Sequence, residues 1–207
     1  MNKTPLLFYK GLTKFGSLSV LLVLLSFTFN MHFGKEDSDD YYVYADSWVH
    51  GIPTGFMGEK DGKSIKLEDA CKENPYKGDK CIKMTVSGGI ETWRGLHIQF
   101  TGAWNVSLDE KTVLPDLSSY DKLEFYARAI PAANQDVYLL QEIGVGGGGA
   151  FEDIKFSDSF LEIDKEWKKY SIKLKQGELK RVNTLLYFTL PEGTLFLDEI
   201  KFVKKKK

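Results

Sequence analysis

The chain has 207 residues and a formal net charge of −1 at neutral pH, which excludes the basic footprint that nucleic-acid binding requires. Hydrophobic residues at 43% and charged residues at 28% are ordinary for one globular domain with a short appendage. Aromatic residues at 14% suit an all-β core and leave rings over for a binding surface.

Residues 1–34 read as a targeting segment. Lys3, Lys10 and Lys14 form a positive n-region, and the run from Leu18 to Phe29 is nearly all apolar, as in a signal peptide. Glu36, Asp37, Asp39 and Asp40 follow in an acidic linker over residues 35–40. The positive-inside rule then leaves the N-terminus in the cytoplasm and sends the rest of the chain across the membrane. No A-x-A site follows the apolar run, and the run reaches spanning length only if extended to Phe15 and Phe33, so a cleaved signal peptide and an uncleaved anchor both stand. The expected location is extracellular or periplasmic, secreted or anchored, with membrane contact only through this segment.

From Tyr41 onward, short alternating runs are separated by Gly, Asn, Asp and Pro. They are Tyr41–Ala45, Ser64–Leu67, Lys80–Val86, Leu96–Phe100, Lys122–Ala129, Asp136–Ile143, Ser159–Ile163, Lys168–Lys175, Thr184–Thr189 and Thr194–Val203. In the fifth, Leu123, Phe125 and Ala127 face one way, and Glu124, Tyr126 and Arg128 the other. Many short strands at regular spacing predict an antiparallel β-sandwich over residues 41–203, with 204–207 a basic, solvated tail. The predicted core is Ile82, Met84, Leu96, Ile98, Phe100, Leu123, Phe125, Tyr170, Ile172 and Leu197. Near Asp198 the alternation slips: Leu195 and Leu197 share one phase, Ile200 and Phe202 the other, which predicts a bulge.

Cys71 and Cys81 bracket the turn-rich segment from Asn74 to Asp79. In an oxidising compartment this pair is expected to form a disulfide. A metal site is the poorer reading, because the sequence has no second cysteine pair and its three histidines are scattered.

The stretch from Thr92 to Phe100, running on to Trp104, carries the functional signal. Leu96, Ile98 and Phe100 alternate with His97 and Gln99, so one face belongs to a core and the other presents an imidazole and an amide. An indole precedes the strand at Trp93 and another follows at Trp104. Indole faces stack on the CH faces of a sugar ring while Gln, Arg and His bond its hydroxyls. Core or edge packing is the alternative role for each tryptophan.

Several segments occur in order along the chain: Pro53–Gly58, Lys72–Gly78, Cys81–Met84, Trp93–Gly95, Asp116–Phe125, Glu166–Tyr170 and Leu195–Ile200. Together they resemble the non-catalytic carbohydrate-binding modules with a jelly-roll, galactose-binding-like β-sandwich, over Tyr41 to Val203. The resemblance implies a concave face that includes the Leu96–Phe100 strand. On it, Trp93 is a stacking platform, Trp104 or Phe56 a second platform, and His97, Gln99 and Arg128 polar contacts, with the Arg128 strand taken as a neighbour. It also implies a structural calcium held by Asp46 and Asp198 together with backbone carbonyls near Lys77–Lys80. The glycine-rich turn from Gly144 to Ala150 departs from the family pattern. It is no phosphate cradle, since it lacks a Lys-Ser/Thr pair and a following helix.

The expected function is that of an exported, non-catalytic protein recognising a glycan or polysaccharide. The alternatives are a protein–protein adaptor or assembly factor on the same sandwich, and a glycoside hydrolase or lyase. For the enzyme, no carboxylate pair stands out, and no Ser-His-Asp or Cys-His arrangement is legible. Trp167, just before the Lys168 strand, is expected to pack rather than bind.

Overall fold

The computed structural model describes residues 39–56, 64–88, 94–101, 112–146, 154–174 and 179–204, with backbone alone for 54–56 and 154–159. The expected targeting segment lies outside the described residues. In chain order the strands are β1 Tyr41–Ala45, β2 Ser47–Trp48, β3 Ile52–Phe56, β4 Ile65–Cys71, β5 Cys81–Val86 and β6 Gly95–Gln99. β7 Tyr120–Pro131, β8 Tyr138–Gly146, β9 Ile154–Ile163, β10 Lys168–Lys173, β11 Thr184–Thr189 and β12 Gly193–Lys204 follow. Among the described residues no helix is long and apolar enough to cross a membrane.

The strands form two antiparallel sheets. One is seven-stranded, in the order β10-β7-β12-β1-β2, with β5 also paired to β12 and β4 to β5; the other is five-stranded, in the order β3-β6-β11-β8-β9. The fold is an all-β jelly-roll sandwich. Its core follows from period-2 alternation, because each strand turns one row of apolar side chains toward the facing sheet. Ile82, Met84, Leu96, Ile98, Leu123, Phe125, Ile172 and Leu197 are buried there, with Phe100 and Tyr170 packed against them. Each large side chain so buried contributes roughly 1.5–3 kcal/mol of transfer free energy.

Two strands were not signalled by alternation. β2 has only two residues. β3 contains Pro53 and Gly55, which read as turn chemistry; proline is tolerated because β3 is a sheet edge.

The slip near Asp198 is a bulge. Asp198 pairs with Tyr126, and after an irregularity Lys201 pairs with Glu124; Glu199 has φ 48°. The phase change returns Ile200 and Phe202 to the same core that Leu195 and Leu197 enter. It also leaves the Asp198 carboxylate fully buried.

The 72–80 loop between β4 and β5 closes over that carboxylate. Asp198 Oδ2 accepts hydrogen bonds from the Tyr76 and Lys77 amides at 3.0 and 3.1 Å, and Oδ1 accepts one from the Glu199 amide at 2.8 Å. Asp46 Oδ1 accepts from the Asp79 and Lys80 amides at 2.7 and 2.8 Å. Successive amides converging on one anion form a nest, and the chain reaches this shape through positive φ at Asn74 and Gly78. At Gly78, a Cβ would stand 2.1 Å from Asp46 Oδ2, so only glycine leaves room for the carboxylate.

At the neck of this loop Cys71 and Cys81 are direct cross-strand partners. Both are buried thiols in this structure. The expected disulfide bond is thus not formed here, although its partners face each other.

Candidate functional site: the outer face of the five-stranded sheet

On β6, Leu96 and Ile98 enter the core, so His97 and Gln99 take the opposite face. On β11, Leu186 and Phe188 enter the core, which sends Tyr187 outward with His97. On β8, Ile143 and Val145 enter the core and Gly144 and Gly146 lie on the outer side. Cross-strand pairing makes two rows over these strands. The first runs Gly55, His97, Tyr187, Gly144; the second runs Ile52, Gln99, Thr184, Gly146.

The rows are tied together by the imidazole. His97 Nε2 lies 2.7 Å from Thr184 Oγ1, and the His97 and Tyr187 rings meet edge to face at 5.8 Å. Tyr187 Oη donates to Glu142 Oε2 at 3.5 Å. His97, Gln99, Thr184 and Tyr187 are all buried, at 3%, 2%, 3% and 1% exposure. Burial holds the His97 imidazole down to about 4, so it is neutral at physiological pH. Burial, and then the Glu142 charge, push the Tyr187 hydroxyl well above its ordinary range, so it remains a donor. Apart from the Glu142 carboxylate at its edge, the cluster therefore consists of neutral, buried polar groups beside buried glycine backbone, chemistry of the kind that recognises an uncharged polar ligand such as a sugar.

Of the expected site residues, the structure brings His97 and Gln99 together. Trp93 and Trp104 lie outside the described residues. Phe56 is placed by its backbone only, paired with Leu96.

Arg128 requires a correction, because it belongs to the other sheet. β7 pairs with β10 and β12, whereas β6 pairs with β3 and β11. Its guanidinium lies 3.6 Å from the Phe196 ring centroid and 5.5 Å from that of Trp167, and Nη2 donates to the Glu73 carbonyl at 3.2 Å. It packs a satellite cluster rather than the candidate face. Trp167 packs there too, donating through Nε1 to the Asn74 carbonyl at 2.8 Å. Tyr187, Thr184 and Glu142 are the members that sequence reasoning missed.

Asp46 and Asp198 offer the hard oxygens that calcium prefers, and three of their four carboxylate oxygens accept five amide hydrogen bonds. Amide N–H groups turn their positive ends toward both carboxylates. Among the described residues no group of three or more His, Cys, Asp or Glu is placed to hold a metal ion.

No family model matches the chain, and no curated protein matches it. Solved structures do. A family 30 carbohydrate binding module is 16% identical with a TM-score of 0.52, the match covering 81% of this chain and 89% of that one. The family 11 carbohydrate-binding module of the cellulosomal cellulase Lic26A-Cel5E of Clostridium thermocellum is 10% identical with a TM-score of 0.50, covering 82% of this chain and 97% of that one. At these identities the likeness establishes the fold they share.

Proposed function

We propose that this chain is an exported, non-catalytic carbohydrate-binding protein that takes a glycan across the outer face of the β3-β6-β11-β8-β9 sheet. The observation that carries the reading is the neutral polar row His97–Tyr187, joined to Thr184 and flanked by Gly55 and Gly144. The sandwich is one that carbohydrate-binding modules use. In this reading His97 and Gln99 form the polar floor. Trp93, two positions before β6, supplies the stacking platform, and Trp104 or Phe56 the second. The apolar N-terminal run carries the domain out of the cytoplasm.

A glycan array probed with the full chain tests the reading, and binding to no glycan overturns it. Trp93→Ala is expected to reduce binding at least tenfold while leaving the melting temperature within a few degrees. A core tryptophan would instead lose roughly 3–5 kcal/mol of stability on truncation, and that result would transfer the stacking role to Trp104. Trp167→Ala is the control, since Trp167 packs against Phe196 at the opposite sheet; it should leave glycan binding intact.

The loop amides take the place of calcium in this reading. The melting temperature should be the same in excess calcium as after unfolding and refolding in chelator. A calcium-dependent rise, which mass action requires of any ion bound to the folded state alone, would restore the metal.

A further inference from the structure

The 72–80 loop makes contacts far beyond its own hairpin. Its amides hold Asp46, just after β1, and Asp198 on β12. Its Glu73 carbonyl accepts from Arg128 on β7, and its Asn74 carbonyl from Trp167, just before β10. The Tyr76 ring stacks on Tyr126 of β7 with centroids 3.5 Å apart. Four separate parts of the seven-stranded sheet thus depend on one loop whose residues 72–74 and 76–79 are exposed. Two residues form its neck, Cys71 and Cys81, directly opposite in the antiparallel β4–β5 pair.

Several features of that neck bear on oxidation. Directly opposed positions in an antiparallel pair hold their Cα atoms about 4.5–5.5 Å apart, within the range a disulfide spans without backbone movement. The two side chains share a small apolar cluster with Phe196 and Trp167, separate from the main core. Cys71 retains 9% exposure and Cys81 none, so an external disulfide reaches Cys71 first.

We propose that Cys71 and Cys81 are an oxidation site whose disulfide closes the neck of the 72–80 loop and locks it as a clamp on β1, β7 and β12. With oxidised glutathione the exchange has two steps. The Cys71 thiolate attacks one glutathione sulfur, breaking the glutathione disulfide and releasing one glutathione thiolate. The Cys81 thiolate then attacks the Cys71 sulfur of the mixed disulfide, forming the Cys71–Cys81 bond and releasing the second glutathione. The two thiol protons pass to the two released thiolates, and the two electrons reduce glutathione. Burial pushes the Cys81 thiol up to about 12, so the second step is slow in the closed fold and fast while the neck is open during folding.

The lock acts by restricting the open loop, since a closed neck removes most arrangements available to the loop once its amides release the carboxylates. It is independent of the glycan reading and holds whether or not a sugar binds.

The test refolds the full chain with oxidised or with reduced glutathione, then counts thiols by maleimide mass labelling after denaturation. The oxidised sample is expected to show one intramolecular disulfide and no free thiol. Its melting temperature should exceed that of the reduced sample by roughly 5 °C. Tryptophan emission should fall on oxidation, because Trp167 lies against the pair, and should recover with reductant. In Cys71→Ser neither the melting temperature nor the emission should respond to redox state. Two free thiols after oxidative refolding overturn the proposal. So does a disulfide that forms but leaves the melting temperature unchanged. Both outcomes are read on the wild-type chain, so they do not depend on any variant folding.

Discussion

Lowering the pH from 6.5 to 4 is expected to remove about 3 kcal/mol of stability through His97 alone. The imidazole is 3% exposed, and burial alone depresses it, to about 4 from an ordinary 6.5. In the unfolded chain it titrates at its ordinary value. Between those two values the unfolded state binds a proton that the folded state refuses. The His97 contribution is therefore complete above pH 6.5, declines as the pH falls, and levels off near pH 4. The magnitude is the interval between the two values, at about 1.4 kcal/mol per pH unit. Urea unfolding across this range, comparing wild type with His97→Gln, isolates the contribution. Glu73, Asp116, Glu124 and Asp164 are all held below their ordinary range. They add acid sensitivity at lower pH, but equally in both proteins. Asp198, raised to about 6 by burial, gains stability over the same range and offsets the loss, again equally in both proteins. The readout is therefore the difference: wild type should lose about 3 kcal/mol relative to His97→Gln between pH 6.5 and 4. Parallel curves would mean that His97 accepts a proton in the folded state, and the neutral-floor description of the site would fail with it.

Much of the fold was legible because alternation is a local property. Leu123, Phe125 and Ala127 declare their shared face without reference to any other strand, and the slip at Asp198 declares a bulge in the same way. What alternation leaves open is which of the two outer faces a polar row belongs to. Arg128 was correctly placed opposite Leu123 and Phe125, yet a sandwich has two outer surfaces, and its strand builds the other one. Tyr187 was hidden for a different reason. The strand Thr-Leu-Leu-Tyr-Phe-Thr is buried at every position, and a strand covered on both sides reads as an unbroken apolar run rather than an alternating one. The nests around Asp46 and Asp198 were least legible. Their partners are backbone amides distant in sequence, and amides carry no residue-type signal.

Asp198→Asn is expected to destabilise the protein by about 2–4 kcal/mol at neutral pH, although it changes little in shape. The carboxylate offers acceptors on both sides, and the structure uses both: Tyr76 and Lys77 donate to one oxygen and Glu199 to the other. An asparagine has one acceptor oxygen and one NH2. In one orientation its NH2 opposes the Tyr76 and Lys77 amides, and in the other it opposes Glu199. Either way a donor faces a donor at a side chain with no solvent exposure. A partial offset comes from removing the charge. Desolvation, against the amide hydrogen bonds, raises the Asp198 carboxyl to about 6, so ionisation in this place is itself unfavourable. Asp46 makes the comparison informative. It too accepts two loop amides, but those bonds are exposed. Water replaces them when Asp46→Asn is made, and the loss should be no more than about 1 kcal/mol. Denaturant unfolding of the two variants measures the difference directly. Near-equal losses would show that burial of Asp198 does not set the strength of the clamp.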